Sequence, residues 1–224
     1  MNDELLKAYI IHSRSYGETS IIFDVFTKEL GLVSTILKGA KKRKDISQLH
    51  TSRELNIQIN KSNLPLLLKY EIHKTIPIKS KHLILLMYFN ELIYKLVPKN
   101  QPQRNLYNFY SNYLDYMSKT NDNFDVVVVG FELLLLKNLG YGITSLSSNE
   151  IIQSNDIFIY DVNSGFKKTN SKLSFDCVSG ETIIKIQEFN INQITELKKI
   201  RSITKKIIQE IAGNKSIKSF DIIQ

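Results

Sequence analysis

The apolar residues of this chain change period once, near Pro77, and that change limits the folds open to it. Before it, short runs favour strands. Residues 8–12 are β-favouring, and residues 20–27 are apolar on both faces. Residues 32–37 follow a Lys28-Glu29-Leu30-Gly31 turn. Residues 54–60 alternate strictly, and residues 66–72 give a fifth run. Five short strands, with one long link between the third and fourth, suit a small closed barrel of the OB type.

From Ser80 the spacing becomes helical. Leu83, Leu86, Met87, Asn90, Tyr94 and Val97 form one stripe, ended by Pro98. Residues 102–117 form a second, with Leu106, Phe109, Tyr110, Tyr113 and Tyr116 three or four apart. That tyrosine stripe is either core or a face for docking a protein. Residues 124–139 are apolar almost all round, which predicts a buried helix stopped by Gly140. A polar, turn-rich stretch over 143–180 contains one hairpin pattern, at 157–160 and 163–166. A last helix is predicted over 194–211. The expected architecture is all-β plus all-α in two domains. Residues 1–79 form an OB-type five-stranded barrel, and residues 80–224 form a helical domain with a small β-hairpin insertion.

Composition narrows the function. An apolar fraction of 42% and a charged fraction of 23% suit a folded chain, and a net charge of +8 favours anionic partners. The first 80 residues hold 13 Lys/Arg against 8 Asp/Glu, while the remainder holds 17 against 14, so the excess sits near the N-terminus. Cys177 is the lone cysteine and cannot form an internal disulfide or a cysteine-rich zinc site. His12, His50, His73 and His82 are scattered without ligand spacing, so no metal and no cofactor is expected. His12 reads as a barrel side chain. The N-terminus lacks a signal core, and Glu132 interrupts the longest apolar run, so a cytoplasmic chain without membrane contact is expected. Phosphate-cradling, nucleophile-elbow and zinc-protease motifs are missing. Asp24 with Glu29, or Asp156 with Asp161, could be paired as acid and base, but nothing places them in a cleft. No catalytic residue is assigned, and no enzyme is expected.

The positive charge is densest in Lys38-Gly39-Ala40-Lys41-Lys42-Arg43-Lys44, five cations in seven residues at the exit of the third strand. With Gly39 as a hinge, this reads as a flexible cationic loop held against a polyanion, nucleic acid first. Lys38, Lys41, Lys42, Arg43 and Lys44 are the expected phosphate contacts. If three to five of them each neutralise one phosphate, log K falls with log salt at a slope of roughly −2 to −5. Arg14 is a second candidate for phosphate. Tyr16 stacks on bases or caps the barrel as a turn aromatic.

The order of several short patterns resembles the RecO family of bacterial recombination mediators. Tyr16-Gly17-Glu18-Thr19-Ser20, Thr27 to Gly31, and Lys38-Gly39-Ala40 with its basic run are similar to the family's Y-G-E-x-S, T-x-x-x-G and K-G-A patterns. Asn90-Glu91-Leu92 resembles N-E-L. Phe131-Glu132-Leu133 through Leu139-Gly140-Tyr141 resembles F-E-x-x-L-L and L-G-Y. The tail from Gly213 to Lys218-Ser219 resembles the closing G-x-x-x-x-K-S. The resemblance implies an OB barrel and a helical domain, nucleoid association, and binding and annealing of single- and double-stranded DNA. It also implies partnership with RecR and with the C-terminal tail of single-strand binding protein, helping RecA to load indirectly. Lys137, Arg201, Lys205 or Lys206 would suit the acidic tail. Many family members carry four zinc-binding cysteines after the G-Y. Ser145-Leu146-Ser147-Ser148 offers none, which makes this chain a zinc-free variant. From the residues alone, an RNA-binding OB module stays open as an alternative, and a small-molecule enzyme in the helical domain lacks a supporting constellation.

Overall fold

Five strands alternate so that one side of each can be buried, and in the computed structural model they close on themselves. The structure describes residues 5–143, 151–161, 164–170 and 177–223. Strands β1 (Leu6–Tyr16), β2 (Ser20–Thr27), β3 (Gly31–Leu37), β4 (Arg53–Ile59) and β5 (Leu67–Thr75) form an antiparallel sheet in the order β3-β2-β1-β4-β5. A parallel bridge between Ile36 and Leu66 joins its two ends, with the Ile36 N–H donating to the Pro65 carbonyl at 2.8 Å. Ala8, Ile10, Phe23, Val25, Leu55 and Ile57 fill the interior. Each large aliphatic or aromatic side chain so buried contributes about 1.5–3 kcal/mol. This is the OB-type barrel expected from the strand pattern.

The β2–β3 turn explains the Thr27–Gly31 spacing. The Thr27 hydroxyl accepts from the Leu30 N–H at 2.9 Å and donates to the Gly31 carbonyl at 3.0 Å. Gly31 has φ +75°, and a Cβ there would lie 1.9 Å from the Gln101 carbonyl oxygen. Only glycine fits both demands.

Helices α1 (Leu83–Leu96) and α2 (Arg104–Lys119) follow. The tyrosine stripe of α2 is core. Tyr107 and Tyr110 are buried against Tyr9 and Phe26, with ring centroids 5.2–6.2 Å apart. Their hydroxyls are satisfied. Tyr107 donates to Glu54 at 2.8 Å, Tyr110 donates to Asn90, and Tyr9 shares a 2.9 Å bond with Ser111. Burial raises all three tyrosine pKa values, so they stay neutral donors.

The chain falls into two compact units, residues 1–120 with 217–224, and residues 121–216. Position 79/80 marks where strand gives way to helix, but α1 and α2 belong to the same unit as the barrel. So does the tail. Glu91 accepts from the backbone N–H groups of Lys218 (2.9 Å) and Ser219 (2.8 Å) and from the Ser219 hydroxyl. Burial would raise its pKa, but these donors hold it below the usual range. The N-E-L and K-S patterns therefore meet in one contact.

The second unit holds α3 (Phe124–Asn138), a small sheet in the order β7-β6-β8 (Gly165–Lys168, Ile157–Asp161, Cys177–Ser179), α4 (Gly180–Gln187) and α5 (Leu197–Ala212). Helix α3 is buried nearly all round, and the Asn123 side chain caps it by accepting from the Val126 N–H. Buried Glu132 accepts from the Thr204 hydroxyl. Glu196 accepts from the Ser179 N–H, the hydroxyls of Ser179 and Thr182, and Lys199, all within 2.9 Å. The expected hairpin corresponds to β6 and β7. Strand β8, which carries the buried Cys177, and helix α4 go beyond it. Asn163 and Ser145 to Ser148 lie outside the described residues. Among the described residues no helix is long and apolar enough to cross a membrane.

Candidate nucleic-acid interface

The long β3–β4 link is folded, not loose. After Gly39 (φ +67°), residues Ala40–Lys42 and Ile46–Gln48 make two 3-10 turns. Leu37, Ala40, Ile46 and Leu49, all multiples of three apart, pack on the barrel interior. Packing of these four residues turns the apolar side of the link inward and leaves the intervening cations outward. Lys38, Lys41, Lys42, Arg43 and Lys44 are all exposed. The expected flexible loop is instead an ordered basic turn, because a fully buried Ala40 anchors it.

The five cations differ in their neighbours. Lys41 is tied to the β1–β2 hairpin, its N–H donating to Thr19 at 2.9 Å and its Nζ to Gly17 at 3.2 Å. Arg43 is engaged. Its Nε lies 3.3 Å from Asp45 and its guanidinium 5.4 Å from the Tyr70 ring centroid. Tyr70 in turn donates to Asp45 at 2.7 Å, and burial with this bond raises its pKa to about 12. The side chains of Lys38, Lys42 and Lys44 have no hydrogen-bond or ion-pair partner among the described residues. They are the cations most available to a phosphate.

Arg14 and Tyr16 lie on the outer face of the barrel, on the exposed outer half of β1. A bulge at Ile11 shifts the β1–β2 register, so that His12 opposes Asp24, Arg14 opposes Ile22 and Tyr16 opposes Ser20. Directly opposed residues share a face. A bulge re-aims the side chains beyond it. Tyr16 is 52% exposed at the strand end, beside the turn that Lys41 grips. Arg14 already has a partner. Its Nη1 lies 2.5 Å from the carboxylate of fully buried Asp24. The same carboxylate takes Ser34 at 2.5 Å, His12 at 3.2 Å and Lys99 at 3.2 Å. Burial alone would raise the Asp24 pKa, but the bonds from Ser34, His12 and Lys99 lower it, so it is an ionised acceptor and not an acid–base group.

Lys99 and this Asp24 network were not expected from the sequence. Lys99 carries no local signal, and it reaches Asp24 from 75 positions away. Of the four cations suggested for an acidic tail, Arg201 is buried in the second unit, 3.4 Å from Asp125.

A barrel of this topology with a basic turn narrows the field, and the decisive observation is a match along the chain. Family models for the N-terminal and C-terminal parts of recombination protein O match residues 1–76 and 81–219. The chain belongs to the RecO family. Relatives named DNA repair protein RecO match it over nearly its full length. The one from Hahella chejuensis is 26% identical over 98% of this chain and 94% of its own. That from Aliivibrio salmonicida is 28% identical over 99% and 96%. That from Psychromonas ingrahamii is 27% identical over 98% and 97%. Two of the family patterns have structural reasons in this chain: Thr27 to Gly31 builds the β2–β3 turn, and Glu91 of N-E-L holds Lys218 and Ser219 of the tail.

Proposed function

We propose that this chain is a non-enzymatic mediator of DNA repair by recombination. It binds single- and double-stranded DNA through the basic turn of its barrel and anneals complementary strands. It acts with RecR and the C-terminal tail of single-strand binding protein to help RecA load. The observation that carries this reading is a row of exposed lysines on an OB-type barrel, in a chain that the RecO family models cover almost completely.

The physics supports it. Lysines that touch phosphates release condensed counterions, which gives affinity without reading sequence. A grip on the backbone leaves base edges free to pair. Bringing two strands together raises the line charge, and a cationic surface lowers that cost. Arg43, already held over the Tyr70 ring, positions the turn. Tyr16, at the hairpin end, offers a ring on which a base can stack, worth about 1–3 kcal/mol.

Fluorescence anisotropy with a labelled oligonucleotide tests the reading. The four lysines of the turn contribute roughly −3 to the log–log salt slope on single-stranded DNA. Replacing Lys41, Lys42, Arg43 and Lys44 by Ala should weaken binding at least tenfold at 0.1 M salt, flatten that slope and slow annealing. Unchanged affinity would remove the site assignment. A strong preference for RNA of the same sequence would replace DNA by RNA as the ligand.

A further inference from the structure

A second group of cations lies on the same outer face, where residues from outside the five strands join Arg14 and His12 of β1. Lys99 sits in the link between α1 and α2. Its backbone bridges Leu32 in parallel, and the next N–H, of Asn100, donates to the Leu32 carbonyl at 2.9 Å. The link is thereby fixed to the edge of β3. From there the Lys99 ammonium reaches Asp24 (3.2 Å) and Ser34 (3.1 Å) and lies 5.4 Å from the Tyr94 ring centroid. Lys95, one turn back on α1, lies 5.9 Å from the same ring. The imidazole of His12 stacks on Tyr94, with centroids 4.7 Å apart and planes at 26°.

We infer that Arg14, Lys95 and Lys99, set around the stacked His12 and Tyr94, form a second phosphate-contact patch that carries a single strand from the basic turn onto the end of α1. The inference rests on the proposed DNA binding and assigns its path.

Three observations support it. First, the cations outnumber the acid they surround. Asp24 neutralises one charge, while Arg14 and Lys99 bring two, and their side chains remain 42% and 44% exposed. An ammonium has three donors and a guanidinium five, so both keep N–H groups for a phosphate after serving Asp24. Second, the network holds these cations in place. Long side chains ordinarily lose rotamer freedom on binding, and a buried carboxylate that anchors them beforehand reduces that cost. Third, the patch and the basic turn lie along one strand. Asp24 and Ser20 are four residues apart on the same face, about 13 Å at 3.3 Å per residue, and the hairpin beyond Ser20 is the one gripped by Lys41. A single OB site commonly covers roughly 4–16 nucleotides, so one strand can span both. Aromatic rings interleaved with cations suit a single-stranded nucleic acid.

The test measures binding of an oligothymidylate at several salt concentrations for the full chain and for Lys95→Gln, Lys99→Gln and the double variant. Each phosphate contact contributes a slope of roughly 0.7 on single strands, hence about fivefold in affinity at 0.1 M salt. The double variant should therefore bind about 25-fold more weakly with a slope shallower by about 1.4. Lys99→Gln also removes a partner of Asp24, so thermal melting is recorded beside it. If that variant melts early, Lys95→Gln, which leaves all four Asp24 contacts intact, decides. An unchanged slope in Lys95→Gln, with the basic-turn variant still impaired, overturns the patch and leaves the DNA reading standing. Absence of binding by the unaltered chain overturns the DNA reading itself.

Discussion

Carboxylates do much of the organising at the scale of single residues. Asp24, Glu91 and Glu196 each collect several donors, and each has its pKa held below the usual range because the donors outweigh burial. Glu196 shows the consequence for stability most clearly, its pKa being lowered from 4.5 to about 2. A carboxyl group held low in the fold binds protons more readily once unfolded. Its contribution is therefore complete above pH 4.5 and disappears as pH falls toward 2. The full shift corresponds to about 3 kcal/mol, and surface screening of a partly exposed group reduces this to about 1–2 kcal/mol. Urea unfolding of the chain and of Glu196→Gln, followed from pH 5 to pH 2.5, should show a shallower loss for the variant. Parallel curves would mean that the four donors add nothing beyond solvation.

At the scale of elements, turn and bulge geometry decides where the charges end up. Gly31→Ala meets both a positive φ and the Gln101 carbonyl, and should cost more than about 2 kcal/mol. Gly39 also has a positive φ, but open space surrounds it, so Gly39→Ala should cost only about 1 kcal/mol. Denaturant midpoints would rank the two, and equal losses would contradict the assigned role of Gln101. The strands, the long helices and the basic run were legible in the sequence because apolar spacing and charge density are local properties. The Ile11 bulge was not. It reverses the alternation within β1, and only the β2 register reveals it. Helix α4 has eight residues and β8 three, too short for a period to stand out. The meeting of Arg14 with Asp24, diagonal across β1 and β2, depends on that same bulge, and Lys99 arrives from a different element. No local pattern predicts that meeting. The order of the basic turn was hidden in the spacing of Leu37, Ala40, Ile46 and Leu49, where the cations between them dominate the composition.

For the whole molecule, the first compact unit takes residues from both ends of the chain. A chain ending at Ser216 would leave the Glu91 carboxylate without its three donors and Tyr88 without Phe220, whose centroid lies 5.9 Å away. Its α1 amides should exchange with deuterium at least tenfold faster than in the full chain, while those of α3 and α5 should be unaffected. Equal protection of α1 would show that the tail is ornamental. The return of the tail also bears on how the protein is made. Residues 121–216 must leave the ribosome after the first 120 and before the last eight. At 5–20 residues per second, the nascent barrel waits roughly 5–20 s for its closing segment. During that interval α1 is docked without its clasp, so emergence of Lys218 and Ser219, and not of the barrel, sets the moment at which this unit is complete.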